Sequence, residues 1–141
     1  MCDSFVALPE ATRAGTTLAA KNADCEINEA QAVLRLPRRS YPEGAALRTT
    51  HLVIPQARET HEVIIDKSFW TWGGEIGINE HGLAVGNEAI FSLAEESRDG
   101  LITGDLLRLM LQSHLFACQL VVAQATQRDV ELRAQLLIIH Q

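Results

Sequence analysis

The sequence predicts an α+β chain, with antiparallel strands in its first two thirds and helices at its C-terminal end. Two observations predict it. Up to Asn87, short apolar and β-branched runs alternate with segments marked by Gly and Pro. From Asp105 to Gln141 neither Gly nor Pro occurs, and apolar residues recur at helical spacing. The 141 residues are enough for about one domain, and 47% hydrophobic residues with a net charge of −6 describe an acidic chain able to bury a core. That balance disfavours nucleic-acid binding, because phosphate contacts need clustered cations and only Arg38 and Arg39 are adjacent. No apolar run approaches the ~20 residues of a membrane span, and no signal-like region opens the chain. Cys2, Cys25 and Cys118 form no CxxC pair, which argues against a disulfide framework and against a zinc site. The expectation is a cytoplasmic protein with no cofactor and no metal.

The elements follow in order. Residues 2 to 8 read as a strand and Thr16 to Lys21 as its return, joined by Pro-Glu-Ala-Thr-Arg-Ala-Gly, with Gly15 where a positive φ is tolerated. Residues 25 to 46 read as irregular, broken by Pro37, Pro42 and Gly44. Strands are expected at Leu47 to Ile54 and His61 to Asp66. Trp70 and Trp72 alternate around Thr71, which in an extended segment places both on one side. His81-Gly82 reads as a turn, and Leu83 to Gly86 as a strand that delivers Asn87 to its end. The stretch from Leu101 to Gln141 reads as helical. Its apolar face carries Leu106, Leu109, Met110 and Leu111, and a second apolar set runs through Leu120, Val121, Val130, Leu132, Leu136 and Leu137.

The chemistry-bearing residues cluster at the start. Removal of Met1 would leave Cys2 with a thiol and a free α-amine, a nucleophile and a base within one residue. Thiols titrate near ~8.5 and α-amines near ~7.7–8.0, so neither needs a large shift to work at neutral pH. A small apolar residue opening a buried strand is the plainer reading of the same position. A hairpin over residues 2 to 21 brings Lys21, Asn22, Ala23 and Asp24 alongside Cys2. Lys21 then favours the thiolate and Asp24 holds the protonated amine, although a polar strand end before a loop fits the same spacing equally well. Glu75, Glu80 and Glu88 suit pairing with a substrate amine or a structural role, and His81 reads as an exposed turn residue. Trp70 and Trp72 either wall a substrate pocket or pack internally. The amide of Asn87 is suited to donating to an oxyanion.

Three ordered motifs carry a family resemblance. Met1-Cys-Asp-Ser-Phe-Val-Ala-Leu-Pro9 with Lys21-Asn-Ala-Asp24 and Asn28-Glu-Ala-Gln31 is similar to the opening of the secernins, which belong with cysteine dipeptidases of the N-terminal-nucleophile class. The block from Trp70 to Phe91 and the segment Gly104-Asp105-Leu-Leu-Arg-Leu-Met-Leu111 resemble the same family, so the likeness covers about residues 1 to 112. It implies a four-layer sandwich of two antiparallel sheets between helices and a Cys2 nucleophile that cleaves amide bonds, with a small peptide or amide as substrate. It also implies an oxyanion donor at Asn87, as in the acylase relatives. Ala23 and Cys25 depart from the serine and arginine usual in the family. After about Gln112 the expected continuation is lost, and residues 113 to 141 read as a divergent helical tail of one N-terminal domain portion. The resemblance therefore implies about half of the fold, one partly uncovered sheet face, self-association as a homo-oligomer, and weak or absent amidase activity. Its alternative is a catalytically inactive, secretion-associated interaction protein.

Overall fold

A computed structural model describes residues 2–89, 99–113 and the backbone of 134–139. The chain opens with a hairpin. Strand β1 (Asp3–Ala7) pairs antiparallel with β2 (Leu18–Asn22), Asp3 opposite Asn22 and Ala7 opposite Leu18. The connecting segment contains one 3₁₀ turn at Pro9–Ala11, and Gly15 closes it with φ +65°, a conformation that favours a residue without Cβ. This hairpin is where the sequence places it.

The main sheet is an antiparallel set in the order β11-β10-β9-β8-β3. Its members are β3 (Gln31–Leu36), β8 (Val63–Ser68), β9 (Ile76–Asn79), β10 (Ala84–Ala89) and β11 (Ala134–Ile139). Between β3 and β8 lie two small ribbons. One pairs β4 (Arg39–Ser40) with β7 (Glu59–Thr60), and the other pairs β5 (Ala46–Arg48) with β6 (Val53–Pro55). Three expectations are corrected here. Residues 25 to 46 are not irregular throughout, because β3 pairs with β8 along its whole length. The strand expected over Leu47 to Ile54 is a tight hairpin instead. Thr49 turns the chain with its own side chain, donating to the Leu52 carbonyl at 3.1 Å and accepting from the Leu52 amide at 3.2 Å. The helical reading of 101 to 141 holds over Thr103–Gln112 and fails at its end, where Ala134–Ile139 is a strand paired with β10, Ala84 opposite Ile139. Residues 114 to 133, with Leu120, Val121, Val130 and Leu132, lie outside the described residues.

Alternation along β8 divides the sheet into two faces. Val63 and Ile65 point to one face and are buried there with Leu83, Val85, Leu107, Met110 and Leu111. The last three come from helix α1 (Thr103–Gln112), at the i, i+3, i+4 spacing that makes one apolar stripe. Leu107 rather than Leu109 belongs to that stripe. Gly77 sits opposite Ile65, and a Cβ there would meet Leu111 Cδ1 at 2.6 Å, so the missing side chain lets the helix settle on the strands. The other face carries Ile64 beside Ile78, with Val33 on the neighbouring strand, all exposed. Leu18 and Ala19 of the first hairpin share an apolar groove of about 420 Å³ with these residues.

Helix α1 is locked at its start by close backbone approach. Gly74 N–H donates to the Gly104 carbonyl at 3.1 Å, and a Cβ on Gly73 would lie 2.1 Å from Gly104 C. The buried Asp105 carboxylate accepts from Thr50 Oγ1 at 2.6 Å and Thr50 N at 3.2 Å, tying the β5–β6 ribbon to the helix. Trp70 and Trp72 do not lie on one side of an extended segment, since residues 69 to 73 form a turn in which the two side chains part. Trp72 lies under the Arg108 guanidinium, 4.2 Å from the ring centroid, while Trp70 is 54% exposed. Among the described residues, no helix is long and apolar enough to cross a membrane.

Candidate functional site

Cys2 and Asp24 line one pocket of about 490 Å³, together with Ala23, Cys25, Glu26, Ile27, Glu29, Ser68, Trp70 and Glu75. Three pieces of chain build it. The β1–β2 hairpin delivers Cys2 and Asp24 because Asp3 pairs with Asn22, which puts the residue before β1 near the residues after β2. The loop into β3 supplies Cys25 and Glu29. The end of β8 and the turn after it supply Ser68, Trp70 and Glu75. The apolar groove on the outer sheet face is comparable in size, but its described lining holds no thiol, and Asp66 is the one ionisable side chain there. The polar pocket is the better candidate for chemistry.

A hydrogen-bond network fixes its wall. Gln31 Nε2 reaches both Cys25 Sγ and Ser68 Oγ at 2.9 Å. Trp70 Nε1–H donates to Glu29 Oε1 at 2.8 Å. Hydrogen bonds from Ser68 and Trp70 hold the Glu29 carboxyl below its ordinary pKa. Burial pushes the Cys25 thiol up, and the negative charges of Glu29 and Glu75 add to that. Cys25 is thus the less nucleophilic kind of thiol. Asp24 goes the other way: the positive amino terminus of the chain lowers its carboxyl, by hydrogen bond first and then by charge.

Lys21 leaves the strand beneath the pocket. Its side chain is only 1% exposed, and its ammonium stands 3.5 Å from Glu75 Oε2. That is ion-pair range, yet the geometry is not that of a hydrogen bond, and Nζ has no hydrogen-bond partner among the described residues. Burial raises the Glu75 carboxyl, and Lys21 draws it back only in part. A second polar link joins the hairpin to the sheet, from Ser4 Oγ–H to the Glu88 carboxylate on β10.

The structure gathers Cys2, Asp24 and Trp70 into the pocket lining, with Lys21 linked to it through Glu75. Asn22, Trp72 and Asn87 are not part of that lining. Asn22 ends β2 opposite Asp3. Trp72 gives its carbonyl to Arg108 Nη1 at 2.6 Å. Burial lowers the Arg108 guanidinium to about 10. Asn87 lies within β10 rather than at its end. It is buried, donates from Nδ2 to the Gly74 carbonyl at 3.1 Å, and gives its backbone N–H to Glu75 O at 3.1 Å. Glu29, Ser68 and Gln31 were not singled out by residue chemistry. The signal for Glu29 and Gln31 is the motif Asn28-Glu-Ala-Gln31, while Ser68 follows only from the register that pairs it with Gln31.

No protein-family profile matches the chain, and no solved structure matches it.

Proposed function

We propose that the chain is a cysteine-type N-terminal-nucleophile hydrolase acting on an amide bond in a small peptide, in the manner of the secernin-like dipeptidases. The observation that carries this reading is the meeting of Cys2 and Asp24 in the lining of one pocket. With Cys2 as the first residue, its α-amine takes the thiol proton while sulfur attacks the substrate carbonyl carbon. The proton passes to the departing amine as the C–N bond breaks, leaving a thioester on Cys2. Water then attacks the thioester, the amine again acting as base, and the acid product and free thiol are released. Asp24 holds the amine in place, and Glu75 with Lys21 sets the charge at the back of the pocket. Asn87 lies outside that lining, its Nδ2 bonded to the Gly74 carbonyl and its backbone N–H to Glu75 O, and so steadies the backbone that carries Glu75.

A second reading is a non-catalytic interaction module of the same ancestry, in the cytoplasm. Its support is the exposed apolar face of Val33, Ile64 and Ile78. Dipeptide hydrolysis and intact mass separate the two. Protein beginning at Cys2 should hydrolyse dipeptides and show a transient acyl adduct on Cys2, both lost in Cys2→Ala. Hydrolysis undiminished in Cys2→Ala, or by protein that retains Met1, would sink the enzymatic reading.

A further inference from the structure

A second constellation lies at the β9–β10 turn, and it shares no residue with the Cys2 pocket. Strands β8 and β9 pair with Val63 opposite Asn79. Continued two places beyond the ladder, that antiparallel register puts His61 opposite His81 and Glu62 opposite Glu80. The rings of His61 and His81 meet edge to face, their centroids 4.5 Å apart. His81 Nε2 stands 3.3 Å from His61 Nδ1, and Glu80 Oε1 stands 3.5 Å from the same His61 nitrogen. One donor atom from each of the three side chains lies within 4.8 Å of the others.

These spacings have a specific meaning. A zinc ion bonded to imidazole nitrogen at ~2.0–2.1 Å in a tetrahedral site separates its donors by about 3.3 Å along each edge. The two edges at His61 Nδ1, 3.3 and 3.5 Å, are close to that value. The donor types also match, since two imidazoles and a carboxylate with a fourth position open is a common zinc set.

The turn that presents the ligands is held from several sides. Asn79 Oδ1 accepts from the His81 and Leu83 amides, both at 3.0 Å. Asn79 Nδ2 donates to the Leu111 carbonyl of α1 at 3.1 Å. Gly82 takes φ +80°, where a Cβ would be strained. The Glu62 amide donates to Glu80 Oε1 at 2.9 Å and aims the carboxylate. On the other side, His61 N–H donates to the Gln112 carbonyl at 3.0 Å. Ligands fixed by their own supporting bonds lose little freedom on binding. The opposing element is Arg38, whose guanidinium lies 2.9 Å from the same Glu80 oxygen. Its side chain is half exposed, so it can swing into solvent when a cation takes its place.

We propose that His61 Nδ1, His81 Nε2 and the Glu80 carboxylate bind one zinc-class divalent ion, with the fourth position left to water. Bound there, the ion joins the entry of β8 to the β9–β10 turn and leaves an acidified, metal-bound water at the ends of the central strands.

The test is titration of the full chain with Zn²⁺ against a chromogenic chelator, and with Co²⁺ followed by visible absorption. The expected result is one equivalent of either metal, with cobalt d–d bands and no thiolate charge-transfer band. His81→Ala removes an exposed ligand with little risk to folding and should weaken binding at least ~10-fold. Glu80→Gln should weaken it as well, whereas Arg38→Ala removes the competing cation and should tighten it. Circular dichroism of each variant confirms that it is folded. Absence of saturable uptake by the unaltered protein overturns the proposal. So does uptake that survives His81→Ala, or that disappears in Cys25→Ser, which would place the metal on thiols.

Discussion

Replacing Lys21 with Met tests how the hairpin carrying Cys2 is fastened to the sheet. The ammonium is buried, 3.5 Å from Glu75 Oε2 and without a hydrogen bond among the described residues. At an effective dielectric of about 20, two unit charges at that distance attract by roughly 5 kcal/mol. Desolvation opposes much of this, but removing one partner of a buried pair exposes the uncompensated cost of the other, typically ~3–5 kcal/mol. Glu75 retains some solvent contact, so the lower end applies, about 3 kcal/mol at neutral pH. The penalty should depend on pH in a stated direction. Glu75 already sits above its ordinary pKa through burial, and losing Lys21 raises it further. A carboxyl raised in the folded state binds protons more tightly there than in the unfolded chain. Its stabilising contribution is therefore full below the unfolded pKa and is lost as pH rises through the folded value. Lys21→Met should thus look mild in acid and severe near neutrality. The double variant Lys21→Met with Glu75→Gln should lie above both single variants, because no charge is left buried alone. Urea denaturation of the four proteins at two pH values completes the cycle. Additive single-variant losses, or a penalty independent of pH, would refute the argument that this pair holds the hairpin.

Three further outcomes follow from the same structure. Thiol-directed electrophiles should label Cys2 faster than Cys25, whose thiol is raised by burial and bonded by Gln31, and peptide mapping reads the order directly. Gly73→Ala should cost about 3 kcal/mol or more in denaturant unfolding, since its Cβ would meet Gly104 C at 2.1 Å, while Gly86→Ala, with its nearest neighbours at 3.9 Å, should cost far less. The apolar outer face should drive self-association, so light scattering should find dimers that Ile64→Lys or Ile78→Lys dissolves without loss of the helix-facing core.

What could be read from the chain was local. The first hairpin was legible because Gly15 and Pro9 punctuate two runs of similar length, and the β9–β10 turn because Gly82 follows His81. β3 was hidden for a physical reason: it is an edge strand, mostly exposed, and Gln-Ala-Val-Leu-Arg-Leu carries only a faint alternation. The β5–β6 turn has neither Gly nor Pro, since the Thr49 hydroxyl does the work of a turn residue. Ala134–Ile139 misled because Leu136-Leu137-Ile138-Ile139 satisfies a helix stripe and a buried strand alike. The pocket was half legible. Cys2 and Asp24 come together through hairpin register, which spacing reveals. The wall of Glu29, Ser68 and Glu75 depends on β3 meeting β8, a long-range pairing that composition does not announce. His61 and His81 were invisible for the same reason, being partners only once the strand register is known.

The parting of Trp70 and Trp72 gives the protein two optical reporters with separate duties, and the chain has no third tryptophan. Trp70 is open to solvent and bonded to a carboxylate, so its emission should be red-shifted and more readily quenched by caesium than by iodide. Trp72 is half-buried beneath the Arg108 guanidinium, whose positive charge repels caesium and draws iodide. A ligand entering the Cys2 pocket should therefore dim or shift the first signal and leave the second untouched. Loosening of α1 should do the reverse. One fluorescence spectrum, resolved by quencher charge, can distinguish occupancy of the pocket from undocking of the helix without any label.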